Sequence, residues 1–584
     1  MKWKLFGNGI LKRNIYYYFF MILITISSIW NIDKAIMPYC VSDEIGYWTA
    51  AAWINNFDWS PVMSHSQYYG WGYGILLSFI FKIPNPILRF RMAIVINAIL
   101  LNLLFIFLVK ICDLLFDNND KKLNVIMAGM ATCYSYNIIF AHTSMCEVFL
   151  TFLYVLSIYI FMKFVENPNR IHFFAFGILL ILQLATHLRM LVCIIALIIT
   201  ITGMCCVQKI DIKRYLAFIL LCSLVIIVVY FVKDLLVQSE YTSVYVSERL
   251  TGNEGVANHL SVFRSALDLE FWYELIYSLE GKIYYLLCST LFMMPCALIY
   301  VADDIKQYFV SKYSENRTKK NVYLLIKIYI CLCFLGALAV DTIYAMKPNR
   351  IDSLLYGRYV ENMLPVIICM GCYWFIKRCD HKKFFLIVLI LLPFMGKKTL
   401  LYLDNLKVST SIPLNIGWFS GWITQDRMND YFYYTLYPLF ISLCMIVIFI
   451  LLSSVNVKSA CVWITICWII SAENGWLNVV TPQLDRMNEV IEASCELKQE
   501  GGPFYCVIPE SLMTDSEEFV DVNWLQYQIG TDTLYEINIE EFRNSEKDLH
   551  IIVNKKNKNY DLYVDNGSII WSNSRFSIIQ HQSR

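Results

Sequence analysis

The stretch CVSDEIGYW (40–48) sets two carboxylates, Asp43 and Glu44, between a long apolar run and an aromatic-rich one. The run before it, YYYFFMILITISSIW (16–30), has the makings of a membrane span. A hydrocarbon core ~30 Å thick needs about twenty mostly apolar residues at ~1.5 Å of rise per residue. Asp43 and Glu44 therefore stand at a membrane boundary. They either cap the helix DEIGYWTAAAWI at its positive end or take part in chemistry there, and the sequence around them leaves both open.

Working outward, the whole chain is built like that first run. Of 584 residues 58% are hydrophobic and 16% charged, with a formal net charge of +1, which is the composition of a polytopic membrane protein. A near-neutral balance excludes nucleic acid as a partner, since that needs a concentrated basic face. The 20 cysteines fall mostly inside apolar runs and behave there as small hydrophobes. Cys495 and Cys506 are a candidate pair. The basic N-terminal segment precedes no small-residue cleavage site, so the first span is expected to stay uncleaved.

About thirteen spans are expected, near 14–37, 89–112, 123–141, 144–165, 171–187, 189–207, 215–236, 282–301, 322–345, 359–376, 384–401, 434–453 and 458–473. The basic segments NDKKLN (119–124), ENPNR (166–170), QKIDIKR (208–214), SKYSENRTKK (311–320) and KRCDHKK (377–383) alternate with cation-poor turns. By the positive-inside rule they are cytoplasmic, with the N-terminus. Asp43 and Glu44 then face outward, and so does the C-terminal stretch. The expected organisation is a cytoplasmic segment (1–13), a transmembrane domain (14–475) whose first external loop is 38–88, and an extracytoplasmic α/β domain (476–584) with short β-runs such as LHIIVN. The protein is expected in the plasma (inner) membrane.

Several ionisable groups fall on that outward face. AHTSMCEVF (141–149) puts Glu147 at the start of a span, where an ionisable residue is a functional candidate by default. HLRM (187–190) adds His187 and Arg189, and YGRYVENMLP (356–365) adds Arg358, Tyr359 and Glu361, with Arg350 just before. In the first loop Tyr47 lies one helical turn from Asp43. Snorkelling accounts for any single arginine, but poorly for the whole set.

In this arrangement the sequence resembles the integral-membrane C-type glycosyltransferases, the branch with protein O-mannosyltransferases and the lipid A aminoarabinose transferase. The resemblance rests on SDEIGYW after the first span and on the aromatic-glycine segment QYYGWGYGILLSFIFKI (67–83) re-entering the membrane. Glu147 opening the fourth span and the late turn YGRYVENMLP complete it.

It implies transfer of a sugar from a polyprenyl-phosphate carrier to a glycan, lipid or protein acceptor on the outer face. Asp43 would be the catalytic carboxylate, with Glu44 and Glu147 beside it. Arg189, Arg358, His65 and His187 would meet the donor phosphate, and Tyr47, Tyr68, Tyr69, Trp71 and Tyr359 would line the cavity. Many relatives carry Lys-Pro-Pro before the re-entrant segment, where this chain reads SQYYGWGYG, so the phosphate contact must come from elsewhere. No cofactor is called for. A divalent ion is compatible with the chemistry, but no DxD motif marks one. The alternatives are a flippase for lipid-linked sugars, which should carry its polar groups at the bilayer midplane, and a polysaccharide polymerase using Arg249 and Arg264 in loop 237–281.

Overall fold

A computed structural model describes residues 15–39, 41–63, 70–116, 120–206, 210–238, 268–310, 317–344, 351–378, 381–406, 416–423, 430–507, 517–545 and 548–581. His65, Tyr68, Tyr69, Arg249, Arg264 and Arg350 lie outside them. The expected segment 1–13 and Asn14 do so too.

Among the described residues, eight helical stretches are long and apolar enough to cross a membrane, and ten if each of two bent pairs counts as one. That is fewer than the thirteen expected, for identifiable reasons. Arg170–Thr186 and Leu364–Arg378 are only 17 and 15 residues long. The stretch expected to be one span over 282–301 is bent by 97° between Leu269–Ser289 and Met293–Val310, where Leu291 and Phe292 adopt positive φ of 47° and 65°. The third expected span bends by 55° between Lys121–Thr132 and Ser135–Ala141.

The last two expected spans lie in one helical stretch, Leu436–Val480, broken at Asn456 (φ −154°, ψ 104°). Trp418 shows what the break does. Its indole Nε1 donates to Ser442 Oγ (3.3 Å), and its carbonyl accepts from Ser471 Oγ (2.9 Å). Ser442 and Ser471 stand 14 and 15 residues from the break, so the two halves fold back side by side.

Polar contacts tie three of the basic segments into the bundle. Lys458 pairs with Asp120 (2.8 Å), Tyr323 donates to Glu166 (2.5 Å), and Asp304 joins Lys327 (2.7 Å) to Arg378 (3.0 Å). Asp43, Glu147 and Glu361 stand away from Arg378. Leu364–Arg378 starts just after Glu361 and reaches Arg378 after 15 residues, or ~22 Å of helical rise.

The helix after Asn456 runs past the expected domain boundary at 475 to Val480. Thr481–Gln483 forms a 3-10 turn, and the polar helix Leu484–Glu500 follows. Beyond it a five-stranded sheet forms from β1 (Phe504–Cys506), β2 (Leu534–Glu536), β3 (Leu549–Asn554), β4 (Ser568–Ser572) and β5 (Phe576–His581), in the order β2-β1-β3-β5-β4. β1 runs parallel to β2 and β3, whereas β5 is antiparallel to β3 and β4. Cys495 is free and exposed and Cys506 is free and buried on β1, so the candidate disulfide is not formed.

Candidate functional site

Asp43 and Glu44 are adjacent in sequence, but their side chains leave the helix Val41–Ile54 about 100° apart. The difference assigns each its task. Glu44 is fully buried. One of its oxygens accepts from the Tyr39 N–H (3.2 Å), and the other from the Ser144 N–H (2.8 Å) and hydroxyl (2.6 Å). Trp48 Nε1 donates to the same Ser144 Oγ at 2.9 Å. Glu44 thus ties the Asp43 helix to the turn that carries Glu147. This corrects its expected place in the chemistry, because both oxygens are occupied by the backbone and hydroxyl they hold.

Asp43 stays at the edge, its side chain 18% exposed. Arg358 Nη1 contacts Asp43 Oδ2, and Arg358 Nε donates to Glu147 Oε1 at 2.7 Å. Arg189 Nη2 lies 3.5 Å from that same Glu147 oxygen, and its guanidinium sits 4.9 Å over the ring of Tyr359. Two carboxylates and two guanidiniums from four separate segments therefore form one chain, Asp43–Arg358–Glu147–Arg189. Glu147 is wholly buried at its centre, while the side chains of Arg358 and Arg189 are 9% and 4% exposed. Charges this well covered persist only when paired. Among the described residues Arg189 Nε, Nη1 and Nη2 and Glu147 Oε2 make no hydrogen bond.

The aromatic-glycine segment explains how Arg189 reaches this place. Gly70 has φ +119°, and a Cβ there would lie 2.5 Å from the carbonyl oxygens of Ala185 and Thr186. At Gly72 it would lie 2.4 Å from Thr186 Oγ1. Only glycine lets this backbone press against the end of Arg170–Thr186, directly before the turn Leu188–Met190 that presents Arg189. His187 caps that turn, its Nδ1 accepting from the Arg189 N–H at 3.2 Å. Trp71 is half-buried, and its indole N–H has no hydrogen-bond partner among the described residues.

The expected cavity-lining residues Tyr47 and Tyr359 differ in burial. Tyr47 is fully buried, donating to Cys146 Sγ at 2.8 Å and packing edge-on against Tyr73. It supports the site from beneath instead of lining an opening. Tyr359 stands edge-on to His187 at 5.6 Å, on the Arg189 side.

Sequence reasoning missed two contributors, Ser144 and Asn97, and named Glu361 without its role. Ser144 receives the Glu44 staple. Asn97, fully buried within Pro86–Leu115, donates to the carbonyls of Phe140, Ala141 and Thr143 and so fixes the Glu147 turn. A polar residue inside an apolar span was the available signal. Glu361, three residues after Arg358, accepts from Tyr134 (2.6 Å) and Tyr285 (2.7 Å) and anchors the Arg358 turn. Among the described residues no three His, Cys, Asp or Glu side chains are grouped to hold a metal ion.

The chain has the layout expected from its sequence: a polytopic helical bundle, an acid-bearing helix after the first span, and a small C-terminal sheet. Two solved structures share that fold over nearly the full length of both chains. They are crystal structures of ArnT from Cupriavidus metallidurans. The one bound to undecaprenyl phosphate covers 97% of this chain and 98% of its own at 9% identity and a TM-score of 0.53. The apo form covers the same shares at 10% identity and 0.51. At that identity the likeness is one of fold. No protein-family model and no curated protein sequence matches the chain.

Proposed function

We propose that this protein is a membrane glycosyltransferase that moves a sugar from a polyprenyl-phosphate carrier to a cell-surface acceptor on the outer face of the plasma membrane. The observation that carries the reading is Arg189, a buried guanidinium whose donors have no hydrogen-bond partner among the described residues, in a cluster that contains Asp43. Buried donors left unmade are costly, and a planar guanidinium suits phosphate oxygens through two parallel bonds. The two carboxylates and two guanidiniums of the cluster balance, so an arriving phosphate needs donors not already committed. Arg189 supplies them, in place of the lysine that relatives carry before the re-entrant segment. Arg358 is committed to Asp43 and Glu147, which makes it the group that orients the base.

In the proposed reaction the acceptor hydroxyl attacks the anomeric carbon as the sugar–phosphate C–O bond breaks. The phosphate leaves with the bonding electrons toward Arg189, and the hydroxyl proton passes to Asp43. A carboxylate suffices because proton removal is needed only late in an oxocarbenium-like transition state. A single displacement inverts the anomeric centre. That ArnT has been solved with undecaprenyl phosphate supports a carrier of this class. Glu361 and Arg358 at one end of the bundle, and not at its middle, favour transfer over transport. In this reading residues 14–475 form the transferase domain, and 476–584 an extracytoplasmic unit.

Titrating purified protein with undecaprenyl phosphate tests it. Arg189→Ala is expected to weaken binding by ~10-fold or more, the scale of a lost charge-assisted pair, and Arg189→Lys by less. Equal affinity in wild type and Arg189→Ala would remove the donor site from this cluster.

A further inference from the structure

The C-terminal helix Glu517–Ile529 ends against the Asp43 helix, and the joint is built around Arg89, at the start of the long helix Pro86–Leu115. Arg89 is 1% exposed. Its Nη2 donates to the Tyr527 carbonyl at 2.6 Å and its Nη1 to the Phe81 carbonyl at 3.1 Å. The guanidinium lies 4.6 Å from the ring of Tyr527, 5.1 Å from Phe81 and 5.7 Å from Trp48.

No carboxylate within salt-bridge distance of Arg89 is found among the described residues. Its charge is met by late carbonyls of two helices, Tyr527 of Glu517–Ile529 and Phe81 of Gly72–Phe81, at the negative ends of their dipoles. Two more donors close the end of Glu517–Ile529. Lys498 Nζ donates to the Gln528 carbonyl (2.8 Å), and Trp59 Nε1 to the Gly530 carbonyl (2.7 Å). Gly530, at φ +82°, is the left-handed residue that ends such a helix.

The joint reaches Asp43 through Trp48. Its ring packs edge-on to Tyr527 at 5.4 Å, and its indole N–H holds Ser144, the residue that also holds Glu44. Trp524 Nε1 donates to the Pro38 carbonyl just before this helix, and Thr533 Oγ1 to the Asp58 carbonyl (2.8 Å) just after it. The helix that carries Asp43 is thus gripped before, along and after its length by one C-terminal element.

We infer that Arg89 is a positioning residue for the transfer reaction. By clamping the end of Glu517–Ile529 against Trp48 it fixes where Asp43 stands, which makes the C-terminal unit part of the catalytic apparatus. The inference rests on the transferase reading. Since a displacement of about 1 Å at the reacting centre can cost ~10²-fold in rate, loosening the clamp should lower turnover without touching the phosphate site.

The test uses the full chain in nanodiscs formed from its native cell-envelope membrane, whose glycans, lipids and proteins supply the acceptor hydroxyl, with a panel of undecaprenyl-phosphate-linked hexoses and pentoses as donors and release of undecaprenyl phosphate as readout. Arg89→Met is expected to lower kcat by ~10-fold or more while the donor KM stays within ~2-fold. Arg89→Lys should recover part of the loss. Trp59→Phe, which removes one N–H, is the milder variant, and hydrogen exchange should show it loosening residues 41–54 more than residues 147–166. Unchanged kcat in Arg89→Met overturns the inference. If that variant misfolds, Trp59→Phe with native exchange at 41–54 and native kcat does the same. No turnover by wild type on any donor would defeat the transferase reading, and the inference with it; loosening of 41–54 would then report the clamp alone.

Discussion

Asp43 and Glu44 differ by one position and about 100° of helical rotation, and that rotation turns Glu44 onto Tyr39 and Ser144 and Asp43 onto Arg358. Asp43→Asn keeps the shape and removes the base, so kcat should fall by ~10² or more while undecaprenyl phosphate binding is retained. Turnover assays on the purified variant check this, and near-normal kcat would leave Asp43 as a helix cap only. Glu44→Gln should act on stability instead. It replaces charged acceptors of three buried donors by a neutral amide, a loss of about 1–3 kcal/mol, read as a lower Tm with kcat of the folded fraction changed far less than in Asp43→Asn. The DE pair, Glu147 and both arginines were legible in the sequence. Their division of labour was not, because it depends on Ser144 and Tyr39 reaching Glu44 from other segments.

At the scale of elements, the re-entrant segment depends on backbone approach. Gly72→Ala would place a methyl 2.4 Å from Thr186 Oγ1 and 2.8 Å from its backbone nitrogen. The neighbour is partly main chain, so the turn bearing Arg189 must move. Overpacking of this kind costs about 1–3 kcal/mol, and weaker undecaprenyl phosphate binding together with a lower Tm is the expected pair of results. The same change made at Gly203, where a new Cβ would meet Leu325 Cδ2 only at 4.0 Å, should leave binding unchanged. Hydropathy located apolar segments well but could not tell a straight span from a bent one. The 97° turn at Leu291 and Phe292 lies inside an apolar run, with only Pro295 three residues on to mark it, whereas the break at Asn456 falls in the polar stretch SSVNVKS (453–459) between the last two expected spans.

At the scale of the whole molecule, alternating charge predicts which segments share a face. Asp120, Glu166 and Arg378, from three of the basic segments, pair with Lys458, Tyr323 and Asp304, and the first loop meets the C-terminal unit through Trp59 and Trp524. Which face is outward is a prediction. A cysteine at Asn55 should label from outside intact cells, and one at Lys319 only after permeabilisation; the reverse pattern would move the chemistry to the cytoplasm. The central claim is that a polyprenyl phosphate is held by Arg189 beside Asp43. A cryo-electron microscopy structure of the full chain with undecaprenyl phosphate tests it most directly. The account predicts phosphate oxygens within ~3 Å of the Arg189 guanidinium, the range of a charge-assisted hydrogen bond. A phosphate bound elsewhere, with Arg189 still facing only Glu147 and Tyr359, would contradict it.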